Sequence, residues 1–126
     1  MELEQLNEIT SVIVQAGIEI HRALGPGLLE SVYRSCMKYE LQLHGLRVVT
    51  EQPVTIRYKD LRLDGSYRLD LLVHDVVIVE IKSIETLLPV HAAQVLSYMR
   101  LMDKRLGLLM NFNVPQMVKG IKRIIN

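Results

Sequence analysis

Two amphipathic helices are predicted at the start of the chain. Apolar side chains recur there at steps of three and four, the spacing of one helix face, at Leu6, Ile9, Ile13, Ala16 and Ile20. The sequence LGPG at 24–27 ends this helix, because glycine and proline interrupt helical structure. A second helix is predicted over about 28–44, and Gly45 suits its C-terminus.

The pattern then becomes extended. The segment 59–65 is predicted to form a turn, a short strand and a second turn, and 74–75 a tight turn. The run from Val76 to Val79 is apolar on both faces, which is typical of a central strand covered on both sides. Strands are predicted at 47–50, 53–58, 66–73 and 76–82.

The last third of the chain returns to helical spacing. A helix is predicted at 91–103 and a buried strand at 106–112, whereas 115–125 suits either a short helix or an edge strand. The fold class is therefore α/β or, more closely, α+β, with a mixed sheet flanked by helices. At 126 residues, the chain is expected to form a single domain over 1–126.

Composition excludes several classes of protein. Apolar residues make up 49% and charged residues 23%, near the globular average, which argues against a disordered chain. The lone cysteine, Cys36, rules out an internal disulfide, and no histidine pair has the spacing of a zinc hydrolase. With no long apolar run and an acidic N-terminus, the chain is expected to be soluble and cytoplasmic.

Three charged residues interrupt strands that are otherwise apolar. Glu80 and Lys82 are two apart on one strand and therefore share a face. Asp70 interrupts the preceding strand, and the tight turn at 74–75 makes the two strands antiparallel neighbours, so Asp70 and Glu80 can approach each other if they share a face. Charged groups are rarely buried unless they are paired or bind a metal.

This trio suits phosphodiester hydrolysis. Two close carboxylates repel, and a divalent cation such as Mg²⁺ relieves the repulsion. A lysine beside the cation can orient an attacking water and stabilise negative charge on phosphorus. A simpler alternative is that Glu80 and Lys82 form only an ion pair, in which case Lys82→Ala should destabilise the fold by leaving a buried carboxylate unpaired.

A family resemblance supports the first interpretation. The stretch GLLESVY at 27–33 matches the signature of the G-x-x-E-x-x-Y protein family. The match continues through HRALGPG, YRLDLLV, VIVEIK, PVHAAQ, LSY, GLLMNFNVP and GIKRIIN, and so covers nearly the whole chain. The family resembles a compact branch of the PD-(D/E)xK nuclease superfamily. This implies a restriction-endonuclease-like core of αβββαβ order and an Mg²⁺-dependent or Mn²⁺-dependent nuclease.

The resemblance also implies a set of metal ligands. It places the metal carboxylates at Asp70 and Glu80, and a backbone ligand at the carbonyl of Ile81. The first-helix acid falls on Glu30, which many members use as a further metal ligand or to position water. The proline that gives the superfamily its name is absent, since Leu69 precedes the aspartate.

Three further residues match positions that act on the substrate. Lys82 matches the catalytic lysine. Gln94 and Tyr98 match the Q-x-x-x-Y element of RecB-like nucleases, which helps to place the substrate or active-site groups. His91 lies on the same predicted helix face and could contact phosphate.

The predicted partner is nucleic acid, DNA or RNA. Six cations near the C-terminus could flank its path, although taken alone they are better explained as a solvated surface: Arg100, Lys104, Arg105, Lys119, Lys122 and Arg123. No aromatic ladder accompanies them, so single-strand recognition is not specifically indicated. Because the net charge is only +1, a non-catalytic module that acts with a partner, or as a homodimer, is the alternative function.

Overall fold

Three helices pack on the two faces of one mixed sheet in the computed structural model, which describes all residues, Met1–Asn126. The elements in chain order are α1 (Leu3–Leu24), α2 (Glu30–Leu43), β1 (Val48–Tyr58), β2 (Leu61–Val73), β3 (Val77–Lys82), α3 (Pro89–Leu101), β4 (Leu106–Asn111), a short 3-10 helix (Met117–Gly120) and β5 (Ile121–Ile125). The strand order is β1-β2-β3-β4-β5. This α+β architecture is consistent with a restriction-endonuclease-like fold and confirms the predicted fold class.

One pair of strands in the sheet is parallel. β3 and β4 run side by side from Val77 opposite Leu106 to Lys82 opposite Asn111, and α3 forms the crossover between them. The other three pairs are antiparallel. β3 is therefore a central strand, and its residues Val77–Ile81 are all buried, as its apolar sequence predicts.

The sheet separates two apolar cores. α1 and α2 cover one face, where 18 buried residues include Ile13, Tyr33 and Ile81. α3 covers the other face, where nine buried residues include Ile78 and Val95. The longest helix, α1, lacks the continuous apolar length that crossing a bilayer requires, and so do the others.

The β1–β2 hairpin differs from the prediction. The short strand and second turn expected within 59–65 are wrong, because β2 runs unbroken from Leu61 and the only turn lies at 59–60. Gly65, with φ of 80°, does not form a turn. It lies in β2 where the pairing with β1 shifts register, between Val54 and Ile56 of β1. The segments 47–50 and 53–58 form one strand, β1. Pro53 is tolerated within it because β1 is an edge strand.

The ambiguous C-terminal segment contains both alternatives. A single 3-10 turn at Met117–Gly120 precedes the edge strand β5, which pairs antiparallel with β4. Gly120 allows this connection, because a Cβ there would collide with the backbone carbonyl of Asn111.

Candidate active site at the end of the third strand

The candidate site lies where β2 and β3 separate. Their ladder ends at the pair Leu71 and Val79, and the same register places Asp70 across from Glu80. The backbone N–H of Ile81 donates to Asp70 Oδ2 at 2.7 Å, so a side chain takes the place of the next strand-to-strand bond. The predicted approach of Asp70 to Glu80 is thus built into the hairpin register.

Glu80 is the most perturbed acid in the protein. It is only 7% exposed, on a strand whose neighbours are apolar. Burial, with the Asp70 charge as a second cause, raises the pKa of Glu80 to about 8, although Lys82 pulls it down. Glu80 Oε1 is buried without a hydrogen-bond partner. An unsatisfied buried carboxylate oxygen is costly, and it marks a place where a ligand can bind.

Lys82 shares the face of Glu80, as the spacing predicts. Its Nζ lies 4.0 Å from Glu80 Oε2, at the outer limit of an ion pair, and its side chain is 19% exposed. This contact is too long to satisfy the carboxylate fully. Lys82 therefore keeps hydrogen-bonding capacity for another group.

Glu30 is hydrogen-bonded to the residue that follows Lys82. It begins α2, and its Oε2 accepts a hydrogen bond from the backbone N–H of Ser83 at 3.3 Å. The Ser83 hydroxyl in turn donates to the carbonyl of Leu28 at 2.6 Å. Glu30 thus fastens the start of α2 to the end of β3. No three His, Cys, Asp or Glu side chains converge closely enough to hold a metal ion by themselves.

Arg34 is a site residue that sequence reasoning missed. Its Nη1 lies 3.1 Å from Asp70 Oδ1 and its Nη2 lies 3.5 Å from Glu51. Together with Glu30, Ser83 and Asn113, it lines a cleft of about 590 Å³. The one available signal was its spacing, since Arg34 is four residues after Glu30 and therefore on the same helix face.

Asn111 was also missed. It is 2% exposed, lies opposite Lys82, and its amide bonds both the N–H and the carbonyl of Ile84. The same side chain accepts the N–H of Asn113 at 3.2 Å. Asn111 therefore fixes the segment that leaves β3 towards α3. A single asparagine at the end of an apolar strand carries no sequence pattern that would predict this role.

α3 brings Gln94 and Tyr98 to the same face as Glu80. Tyr98 is 5% exposed. Burial first, and the Glu80 charge second, raise the pKa of Tyr98 to about 12, while a hydrogen bond with Gln94 opposes the shift. Tyr98 is thus a neutral hydroxyl at ordinary pH. His91 instead accepts the N–H of Leu88 through Nδ1 at 2.9 Å and caps the start of α3.

Tyr33 of the GLLESVY stretch is structural in its contacts. Its hydroxyl donates to the carbonyl of Gly25 at 2.6 Å and accepts the N–H of Leu28 at 3.1 Å. Its ring stacks on Phe112 with a centroid distance of 4.3 Å. Tyr33 thereby stabilises the LGPG turn, which immediately precedes the helix that begins at Glu30.

Three of the six C-terminal cations have partners other than the site residues. Lys104 and Arg105 lie next to the start of β4, at the opposite end of the parallel pair from Lys82. Five residues of strand separate the two ends, about 17 Å. Lys104 binds Asp75, Arg105 the carbonyl of Met1, and Arg123 the side chain of Asn7. These three are partnered surface charges.

Comparison with known proteins gives one match. The family model of the PD-(D/E)XK nuclease superfamily matches residues 7–124. No curated protein matches the chain, and neither does any solved structure. The matched range includes every strand except the last residue of β5. The chain belongs to the PD-(D/E)XK nuclease superfamily.

Proposed function

We propose that the protein is a divalent-metal-dependent nuclease that hydrolyses phosphodiester bonds in DNA or RNA. The observation that carries the proposal is the buried Glu80 carboxylate, one oxygen of which has no hydrogen-bond partner. Asp70 and Lys82 stand beside it at the end of an otherwise apolar strand. Membership in a nuclease superfamily supports the same conclusion.

The donor set fits a hard divalent cation. Mg²⁺ and Mn²⁺ prefer carboxylate and carbonyl oxygens together with water. Asp70, Glu80 and the Ile81 carbonyl would hold the ion, with Glu30 as a further ligand or a residue that positions water. A bound cation supplies Lewis-acid chemistry and lowers the pKa of a bound water. It would also give Glu80 Oε1 the partner that the protein does not provide.

The chain's own residues then act on the substrate. Lys82 would donate to the attacking water or to a phosphoryl oxygen and stabilise the negative charge that develops on phosphorus. Gln94 and Tyr98 would orient the scissile group, since both lie on the helix facing Glu80 and the hydroxyl of Tyr98 stays neutral. The cleft of about 590 Å³ beside Glu30 and Arg34 has room for a backbone phosphate and its sugar.

We also infer that the chain belongs to the G-x-x-E-x-x-Y group within this superfamily. The support is the GLLESVY stretch at 27–33. Its glutamate bonds Ser83, and its tyrosine holds the turn before α2. In this arrangement the motif would work mainly by joining α2 to the end of β3.

A cleavage assay tests the nuclease proposal. Wild type and Lys82→Ala are incubated with single-stranded and double-stranded DNA and RNA in Mg²⁺, Mn²⁺ or EDTA. We expect metal-dependent cleavage that falls at least about 100-fold in Lys82→Ala, because the lysine acts in the transition state. Glu85→Gln, which changes an exposed acid five residues after Glu80, is the control and should cleave normally.

The alternative is a non-catalytic module of the same fold that acts with a partner or as a homodimer. One observation favours it, because both oxygens of Asp70 already have partners, Arg34 and the Ile81 N–H. Calorimetric titration with Mg²⁺ and Mn²⁺ separates the two functions. A folded wild type that binds neither ion and cleaves nothing would contradict the nuclease proposal.

A further inference from the structure

A second cleft lies between the β1–β2 hairpin and α3. Its volume is about 380 Å³. The hairpin wall contributes Ile56 and Tyr67, and the helix wall includes Val90, Gln94, Ser97 and Tyr98. The lining is mostly apolar, and the amide of Gln94 and the hydroxyl of Ser97 are polar groups within it. Apolar walls with a few placed polar groups are characteristic of small-molecule binding sites.

Tyr67 gives this cleft an aromatic wall. It is 47% exposed, although its ring centroid lies only 6.0 Å from that of the buried Tyr98, at an interplanar angle of 52°. Because nearly half of Tyr67 is exposed, part of its ring is accessible to a ligand. Exposed aromatic faces bind nucleobases by stacking, without regard to sequence.

The cleft shares two residues with the candidate active site. Tyr98 and Gln94 line the cleft and also stand over Glu80, whose charge acts on the Tyr98 hydroxyl. A nucleotide chain with a phosphate at Glu80 and Lys82 would therefore have a neighbouring base within reach of the cleft. No other aromatic side chain lines this cleft.

We propose that this cleft binds one unpaired nucleobase next to the scissile phosphate, with Tyr67 stacking on the base and Gln94 and Ser97 bonding its edge. The inference rests on the proposed nuclease function and narrows its substrate class. A base inside a duplex is stacked on both faces and paired along its edge, so it can enter the cleft only after extrusion. The substrate is thus a single strand, or a duplex that is locally open at the cleaved position.

Binding measurements test the cleft apart from catalysis. Fluorescence anisotropy is recorded for labelled single-stranded and duplex oligonucleotides in Ca²⁺ and in EDTA, with wild type, Tyr67→Ala and Tyr67→Phe. We expect Tyr67→Ala to bind the single strand about 5- to 100-fold more weakly, and Tyr67→Phe to bind normally because it keeps the stacking ring. Tyr58→Ala is the matched control, since Tyr58 is an exposed tyrosine of the same hairpin outside the cleft.

An abasic scan locates the base. Oligonucleotides lacking one base at each position in turn should lose affinity for wild type at one position, and Tyr67→Ala should be insensitive there. If Tyr58→Ala and Tyr67→Ala lost the same affinity for the single strand, or if Tyr67→Ala lost none, the proposal that this cleft binds a base would be wrong. Metal-dependent cleavage by wild type would still support the nuclease proposal. A change in molar mass by light scattering on Tyr67→Ala would instead identify a second copy as the occupant. A wild type that neither binds nor cleaves nucleic acid would remove both proposals.

Discussion

The two faces of the sheet are packed differently, and the difference explains where the candidate site lies. Two helices cover one face and bury 18 core residues, among them Ile81. α3 alone covers the other and buries nine. Glu80 and Lys82 alternate with Ile81 and therefore point to this second face, where Lys82 is partly exposed.

The better-packed face acts as the scaffold for the other. Neighbouring residues on a strand point to opposite sides, so Ile81 anchors β3 in the larger core while Glu80 is presented to α3. Packed interiors tolerate little movement. The packing of Ile81 in the large core therefore helps to fix the position of Glu80. Changes in the large core should mainly alter stability, whereas changes of the charged residues at the end of β3 should also alter chemistry.

Tyr33 gives the largest expected effect and tests the scaffold. Tyr33→Ala removes the stack on Phe112 and both hydroxyl hydrogen bonds, and should lower the free energy of unfolding by about 3–5 kcal/mol. Tyr33→Phe keeps the ring and should cost about 1–2 kcal/mol. Urea denaturation measures both.

Tyr39→Ala is the control for Tyr33, because Tyr39 lies on the same helix and is 66% exposed. Its stability should stay near that of wild type. If Tyr33→Phe kept full stability but lost cleavage activity, the Tyr33 hydroxyl would have a role in the reaction. That result would contradict the structural role assigned to Tyr33.

The second prediction concerns Glu80, on the face covered by α3. It is the pH dependence of the free energy of unfolding of the metal-free protein. The unfolded carboxyl releases its proton near its ordinary pKa of 4.5, whereas burial and Asp70 hold the folded pKa at about 8. The folded state thus binds more protons between these values, so stability falls as pH rises from about 4.5 to 8. Stability should fall by about 1.4 kcal/mol for each pH unit between these two values, and Glu80→Gln should remove this slope.

Chemical denaturation in EDTA between pH 5 and 9 measures this slope. At pH 8, Glu80→Gln should be more stable than wild type, because the amide resembles the protonated acid and carries no charge into the core. Glu85→Gln should leave the slope unchanged, since Glu85 is exposed. Parallel profiles for wild type and Glu80→Gln would show that Glu80 is ionised in the folded protein throughout.

Sequence reasoning succeeded where periodicity and register determine position. Glu80 and Lys82 stand out because they interrupt an apolar strand, and the short turn at 74–75 brings Asp70 alongside. It failed at 59–65, where polar residues and Gly65 resemble turns. That part of β2 is exposed throughout, so no inward-facing apolar alternation exists to reveal the strand.

Arg34 shows a second reason for failure. A charged residue on a partly exposed helix face carries no periodic signal, and its partner Asp70 lies 36 residues away in the sequence. Only the packing of α2 against the sheet brings the two together. Asn111 is similar, because its role depends on the backbone of Ile84, 27 residues away. Contacts between distant segments are fixed by tertiary packing, and the sequence pattern does not record them.

Arg34 also gives the smallest expected effect on stability, and it tests the contact between α2 on the first face and the carboxylates. In wild type, Arg34 Nη1 lies 3.1 Å from Asp70 Oδ1. Arg34→Met keeps an apolar side chain of similar length but removes this positive charge. We expect a loss of about 1 kcal/mol in stability, because the pair is partly exposed. Metal affinity should change in the opposite sense, since a fixed cation beside Asp70 repels a second one.

Calorimetry with Mn²⁺ should therefore find Arg34→Met binding at least about 3-fold more tightly than wild type. Arg62→Met is the matched control, because Arg62 pairs with Asp64 at 3.0 Å on the exposed hairpin and should not alter metal binding. Weaker binding in Arg34→Met would mean that the arginine orients Asp70 for the ion, so that α2 would be part of the metal site. Unchanged binding would mean that Asp70 is not a ligand, and Glu80 would then have to hold the ion without it.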